Sequence, residues 1–198
     1  RSLVAAFVAL TLGLQMWPGV PQQLQFVRTS YAHGAYWLLI TSQWVHLGLW
    51  HAIGNAVTFG VLVVVFDLWL DWRQQLLALA GGYIGVAVVL ALDAQCNYYA
   101  GASGALHGLL AGNALNIAWI GQTHRPQTKA ATGTWSSVTR LVGLALLAAL
   151  ALKLWWQSGD MPANPWGGWH FPVYHPAHIA GALGGVGMVV LALAARAA

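Results

Sequence analysis

Apolar residues run along this chain in long blocks, and the breaks between them are short and rich in polar residues, glycine, proline and tryptophan. A helix that crosses a bilayer needs about 20 mostly apolar residues. Six stretches reach or approach that length: about 3–17, 47–69, 75–92, 103–120, 138–156 and 176–195. The first is short and is ended by Trp17-Pro18-Gly19. Gln22 to Thr41 reads as a long polar and aromatic connection, and Asp67, Asp71 and Arg73 mark a turn. Gly121 to Ser137 is polar, with His124, Arg125 and Lys129. Gln157 to Tyr174 is a loop of Pro, Gly and Trp. No repeat and no long low-complexity tail interrupts the pattern.

Composition turns this pattern into a fold class. The 198 residues are 59% hydrophobic and 6% charged, against about 25% charged in a soluble domain. So little charge cannot cover a water-facing surface. The expectation is an all-α membrane protein, one domain over residues 1–198 with six transmembrane helices. The net charge of +4 is too small and scattered for a nucleic-acid groove, so no nucleic-acid partner is expected. The single Cys96 permits no internal disulfide. No cleavable signal peptide is visible, and a first residue of Arg rather than Met suggests a trimmed native start.

The basic residues set an orientation. With six helices both termini share a side, which then holds Arg1, Arg73, Arg125, Lys129, Arg140 and Arg196. The other side holds Arg28 and the border residue Lys153. Six against two predicts cytoplasmic termini. Trp17, Trp44, Trp69, Trp72, Trp119, Trp155 and Trp156 lie near helix ends, where amphipathic rings anchor among lipid headgroups. On this topology the second, fourth and sixth helices all begin on the outer face. Each opens on a polar island: His46/His51/Asn55, Ser103/His107 and His175/His178.

Each island has a structural reading beside a chemical one. Ser103 and His107, four apart, share a helix face. Gly101, Gly104, Gly108 and Gly112 could serve close helix packing alone. A histidine inside a membrane is harder to assign to packing, because ionisable groups there are costly. His51 and Asn55 repeat the four-residue spacing and could be a polar clamp or donors into a site. Two or three His could bind zinc, but no Cys or carboxylate neighbour supplies the usual ligand mixture. No metal or other cofactor is expected. Gly181, Gly184 and Gly185 would let the sixth helix press on the fourth, setting His178 beside Ser103. A serine hydroxyl is a weak nucleophile until an adjacent base takes its proton. Asp160 lies in a loop, and Asp67 and Asp71 on the far side, so the economical arrangement is a dyad.

With these residues in view, the chain resembles the rhomboid intramembrane serine proteases. Gly101, Ser103 and Gly104 match the family's G-x-S-G at the fourth helix; Ala177, His178 and Gly181 match A-H-x-x-G on the sixth; His46, His51 and Asn55 match the opening of the second. The resemblance implies a six-helix rhomboid bundle with Ser103 as nucleophile and His178 as general base. It also implies an oxyanion hole from the Ser103 N–H, His51 and Asn55, with His46 ordering a loop. Two departures stand out. His107 occupies a place where many rhomboids carry Tyr, and Trp37 is followed by Leu38 where a Trp-Arg pair is common. The pattern G-x-S-G-x-L-H-G looks like the rhombosortase branch. That implies a bacterial inner-membrane enzyme in contact with lipid, its site opening to the periplasm. Its substrates would be exported transmembrane proteins with a C-terminal tail of Gly-Gly, an apolar span and basic residues. His107 is expected to stack on, or hydrogen-bond to, His178. The fifth helix and the loop through Pro162, Pro165, Gly167 and Gly168 are the expected movers. The rival readings are a client-binding pseudoprotease and a small transporter using the same histidines.

Overall fold

The computed structural model describes residues 2–120, 134–158 and 173–197. Helix α1 spans Ser2–Met16, followed by the short helices α2 (Val20–Leu24), α3 (Arg28–Ala32) and α4 (Leu38–Thr41). The long helices α5 (Leu49–Phe66), α6 (Trp72–Leu92), α7 (Ser103–Ile120), α8 (Thr134–Gln157) and α9 (His175–Ala197) follow. Strands β1 (Phe26–Val27) and β2 (Tyr98–Tyr99) form a two-stranded antiparallel ribbon. Among the described residues four helices are long and apolar enough to cross a membrane: α5, α6, α8 and α9. With their exposed valines and leucines, such as Val61, Val64, Leu141, Leu152, Leu183 and Leu191, they make the chain an integral membrane protein.

Six spans were expected, and four meet that standard. The other two candidates miss it for different reasons. Helix α1 has 15 residues. Helix α7 has 18 but carries His107, Asn113 and Asn116. It is also the most enclosed helix, packed by α6, α8 and α9, with Ala105, Leu109, Ala114 and Ile117 buried. A helix walled by protein has little contact with lipid and can hold small and polar residues that a lipid-facing helix cannot.

Glycine lets these walls close. An added Cβ at Gly108 would lie 2.6 Å from the Gly181 carbonyl oxygen, and one at Gly112 would lie 2.8 Å from that of Gly185. Conversely, Gly181 and Gly185 lie against the carbonyls of Gly104 and Gly108. Gly81 and Gly85 of α6 meet Gly184 and Ala180 of α9, and an added Cβ at Gly82 would lie 2.5 Å from the Ala105 carbonyl oxygen of α7. Three helices thus touch backbone to backbone. In a bilayer, where apolar burial drives helices together weakly, such close packing is a main source of association.

The ends of α6 are fixed by polar contacts. Asp71 Oδ1 accepts from the N–H groups of Arg73 (2.8 Å) and Gln74 (3.0 Å), and Gln74 Oε1 accepts from the Asp71 N–H (3.0 Å). This capping box satisfies donors that helix geometry leaves open. At the other end the Arg28 guanidinium donates to the carbonyls of Leu90, Asp93 and Cys96. A cation there suits the negative end of the helix dipole. The 22–41 connection is therefore more ordered than its composition suggests. It contributes three short helices, the ribbon and this cap. Trp44 also departs from expectation: its ring stacks on Tyr83, centroids 5.2 Å apart, and meets Phe7 at 5.5 Å. Trp17, Trp72, Trp119, Trp155 and Trp156 are exposed. Arg1, His124, Arg125, Lys129, Asp160 and the proline-rich loop from Pro162 to Gly168 lie outside the described residues.

The start of α9 is tied to the end of α6. The Tyr174 hydroxyl donates to Asp93 Oδ2, and the Gln95 N–H donates to Oδ1 at 2.9 Å. The Tyr174 bond first, then the Gln95 N–H and the Arg28 charge, hold the Asp93 carboxyl below its ordinary value. A depressed folded pKa contributes stability that is present above the unfolded value, about 3.9, and is lost as pH falls through the lower folded value. Melting temperature in detergent should therefore drop below about pH 4, and Tyr174→Phe should lessen that drop; identical acid slopes would remove the tether. A second comparison tests the packing. Gly181→Ala should destabilise by about 1–3 kcal/mol, the usual cost of overpacking. Gly187→Ala, with open space around it, should not destabilise.

Candidate functional site

The polar islands converge at one end of the bundle. Ser103 is the first residue of α7, and His178 lies one turn into α9. Ser103 Oγ and His178 Nε2 are 3.0 Å apart. The glycine contacts bring them together, since Gly181 lies against the Gly104 carbonyl and Gly104 near that of Ala177. His178 is 6% exposed and Ser103 half-buried. The Leu106 N–H makes the bond to Ala102 O that starts the helix. The N–H groups of Ser103, Gly104 and Ala105 therefore have no partner within α7, as at any helix start. They put the positive end of a helix dipole at Ser103.

The loop that delivers Ser103 is held at several points. Gly101 N–H donates to Ser42 O (2.9 Å), and Gly101 O accepts from the buried Tyr99 hydroxyl (2.9 Å). The Ala102 N–H donates to His46 Nε2 (3.3 Å), and the His46 N–H donates to Gln15 Oε1 (3.1 Å). Burial pushes His46 down to about 3, with the neighbouring His51 adding to the effect. A neutral ring is what acceptance by Nε2 requires. The ribbon closes the same loop from outside, pairing Phe26 with Tyr99 and Val27 with Tyr98.

Gly101 has φ +135°, a region L side chains rarely adopt. An added Cβ there would lie 2.8 Å from His51 Cε1 and 3.1 Å from His51 Nε2. The His51 ring thus presses on the loop two residues before Ser103, with the His46 ring edge-on to it at 4.9 Å. Asn55 is buried, and its Nδ2 donates to His51 O (2.9 Å) on its own helix. An amide nitrogen carries two hydrogens, so this bond leaves one for another acceptor.

His107 lies under His178. The rings stack with centroids 4.2 Å apart and planes 14° apart, and His107 Nδ1 is 2.7 Å from Ser103 O. A carbonyl only accepts, so Nδ1 carries the proton. Two further residues join the site that the sequence pattern left aside. Lys153 Nζ donates to His107 Nε2 (2.8 Å) and to Gln157 Oε1 (3.0 Å), and Gln157 Oε1 lies 3.4 Å from His178 Nδ1. In the sequence alone Lys153 reads as a border residue for orientation, and Gln157 as the start of a loop. Their signal was present: a Lys and a Gln four apart share one face of an otherwise apolar helix. His175 stands edge-on to His178 at 6.0 Å.

Comparison with known proteins adds one finding. The family model described as the Rhomboid domain matches residues 33–195. No curated protein and no solved structure matches the chain. The matched stretch contains His46, His51, Asn55, Ser103, His107 and His178. The chain therefore belongs to the Rhomboid domain family, whose members are intramembrane serine proteases acting on transmembrane protein substrates.

Proposed function

We propose that this chain is an active intramembrane serine endopeptidase working through a Ser103–His178 dyad. The observation that carries the reading is the 3.0 Å approach of Ser103 Oγ to His178 Nε2 at the start of a helix. Ser103 Oγ attacks the substrate carbonyl carbon while its proton passes to His178 Nε2. The carbonyl oxygen becomes an oxyanion, stabilised by the Ser103 N–H, His51 and the second N–H of Asn55. Collapse breaks the C–N bond, and His178 gives its proton to the leaving amine. A water molecule, deprotonated by His178, then attacks the acyl-enzyme. The acid is released and the Ser103 hydroxyl is restored. No separate acid is needed to form the imidazolium, and fixed donors at the developing charge supply the larger share of such catalysis.

The remaining features form one scheme. Residues 1–198 form a single rhomboid domain in which α1 and α7 cross the membrane with the four apolar helices. The termini lie in the cytoplasm and the site opens to the periplasm of a bacterial inner membrane. A substrate helix must unwind to offer its peptide bond, because helical carbonyls are already paired. Gly-Gly eases this, since each Gly disfavours helix by about 1 kcal/mol relative to Ala. Together with His107 beneath His178, this favours the rhombosortase branch. Its substrates are exported proteins with a C-terminal Gly-Gly, an apolar span and basic residues.

The decisive experiment uses purified protein in detergent with such a tailed substrate. Ser103→Ala and His178→Ala should reduce cleavage to background, and a fluorophosphonate should label Ser103 alone. Cleavage by either variant at the wild-type rate would sink the dyad. Asn55→Ala should lower kcat by ~10²–10³ with little change in KM; an unchanged kcat would remove Asn55 from the oxyanion hole. Replacing Gly-Gly by Ala-Ala should slow cleavage, and indifference would return the protein to the general rhomboids.

A further inference from the structure

The dyad has a third partner on a helix that supplies neither of its members. Helix α8 packs against α7, where an added Cβ on Gly143 would lie 2.6 Å from both Ala114 O and Ala118 N. It touches α9 only lightly. Near its end α8 carries Lys153 and Gln157 on one face, flanked by the exposed Leu152, Trp155 and Trp156. Polar groups on such a helix are costly unless they act.

The hydrogen bonds close a ring in which every donor and acceptor is consistent. Lys153 is donor-only, so the Gln157 atom facing it must be Oε1. This fixes which end of the amide points into the site, a choice the amide's own shape does not make. Oε1 then accepts from Lys153 and from His178 Nδ1 (3.4 Å). With its proton on Nδ1, the His178 ring offers the Nε2 lone pair to the Ser103 hydroxyl (3.0 Å). Lys153 also donates to His107 Nε2, so His107 keeps its proton on Nδ1 and donates to Ser103 O. The ring begins at the serine hydroxyl and returns to the carbonyl of the same residue.

We infer that Gln157, oriented by Lys153, is a positioning residue that selects the Nδ1–H tautomer of His178 and holds the ring toward Ser103. The inference rests on the dyad reading. It gives a neutral amide the task that a carboxylate performs in a triad. It also makes the dyad's geometry depend on α8 lying against α7 and α9. When Nε2 takes the serine proton, Nδ1–H remains bonded to Oε1, so no proton moves along this arm.

Two readouts test this. Full-length protein with ¹⁵N-labelled histidine is studied by NMR in detergent, with the His178 signals identified by their loss in His178→Asn. Wild type and Ser103→Ala should show the Nδ1–H tautomer. Gln157→Leu should shift the population toward Nε2–H, and Gln157→Glu should restore Nδ1–H. Lys153→Met should fall between. In parallel, Gln157→Leu should lower kcat by about 10–100-fold, a loss no larger than the low end of acid–base contributions, with KM changed less than about twofold, and Gln157→Glu should recover most of the rate. An unchanged tautomer in Gln157→Leu would overturn the inference, even if activity fell. A protein that cleaves nothing but shows the tautomer shift would retain the positioning role while the protease reading failed.

Discussion

Backbone contact between α7 and α9 is the constraint on which the rest depends. Gly104 and Gly108 on one helix, and Gly181 and Gly185 on the other, remove the side chains that would hold the axes apart. Helices normally pack 8–10 Å apart; with glycines at the crossing the carbonyl of one touches the Cα of the other. A serine at the start of α7 and a histidine one turn into α9 then fall within hydrogen-bond reach without long side chains. The same closeness limits tolerance. Dense packing leaves no slack to absorb even one methyl group, so the residues that set the distance carry no chemistry of their own.

A second layer of polar contacts fixes the direction in which the hydroxyl points. The 99–102 loop is held by Tyr99, Ser42 and His46, and the ribbon binds it to a segment far earlier in the chain. Helix α8 approaches from the other side and reaches the site through Lys153 and Gln157. The site thus has one wall built from loops and a second wall that is a largely exposed helix. The first carries the contacts around Ser103, and the second brings Gln157 Oε1 within 3.4 Å of His178 Nδ1.

The sequence disclosed the membrane class through its apolar blocks and low charge, and it disclosed the residues that meet at the site through their spacing. Ser103 and His178 are 75 positions apart. Hydropathy and charge bias placed them at one end because alternate helices start on the same face. Span counting was less legible. Helix α7 is surrounded by protein, so the lipid never selects its composition. The ribbon was hidden because two-residue strands leave no period to read, and Arg28 was hidden because capping depends on tertiary placement. Lys153 and Gln157 were visible as residues but not as partners. A polar pair on an apolar helix signals a site only when the neighbouring helix is known.

The order of the helices has a consequence for biogenesis. Because His178 sits on α9, the hydroxyl of Ser103 lacks that imidazole while the preceding helices are emerging. A ribosome-bound or truncated chain ending before residue 175 would carry the serine and its clamped loop, yet leave the Ser103 hydroxyl without its contact to His178 Nε2. The Ser103–His178 contact therefore arrives only with α9. The order of the helices along the chain itself delays that contact until α9 has packed against α7.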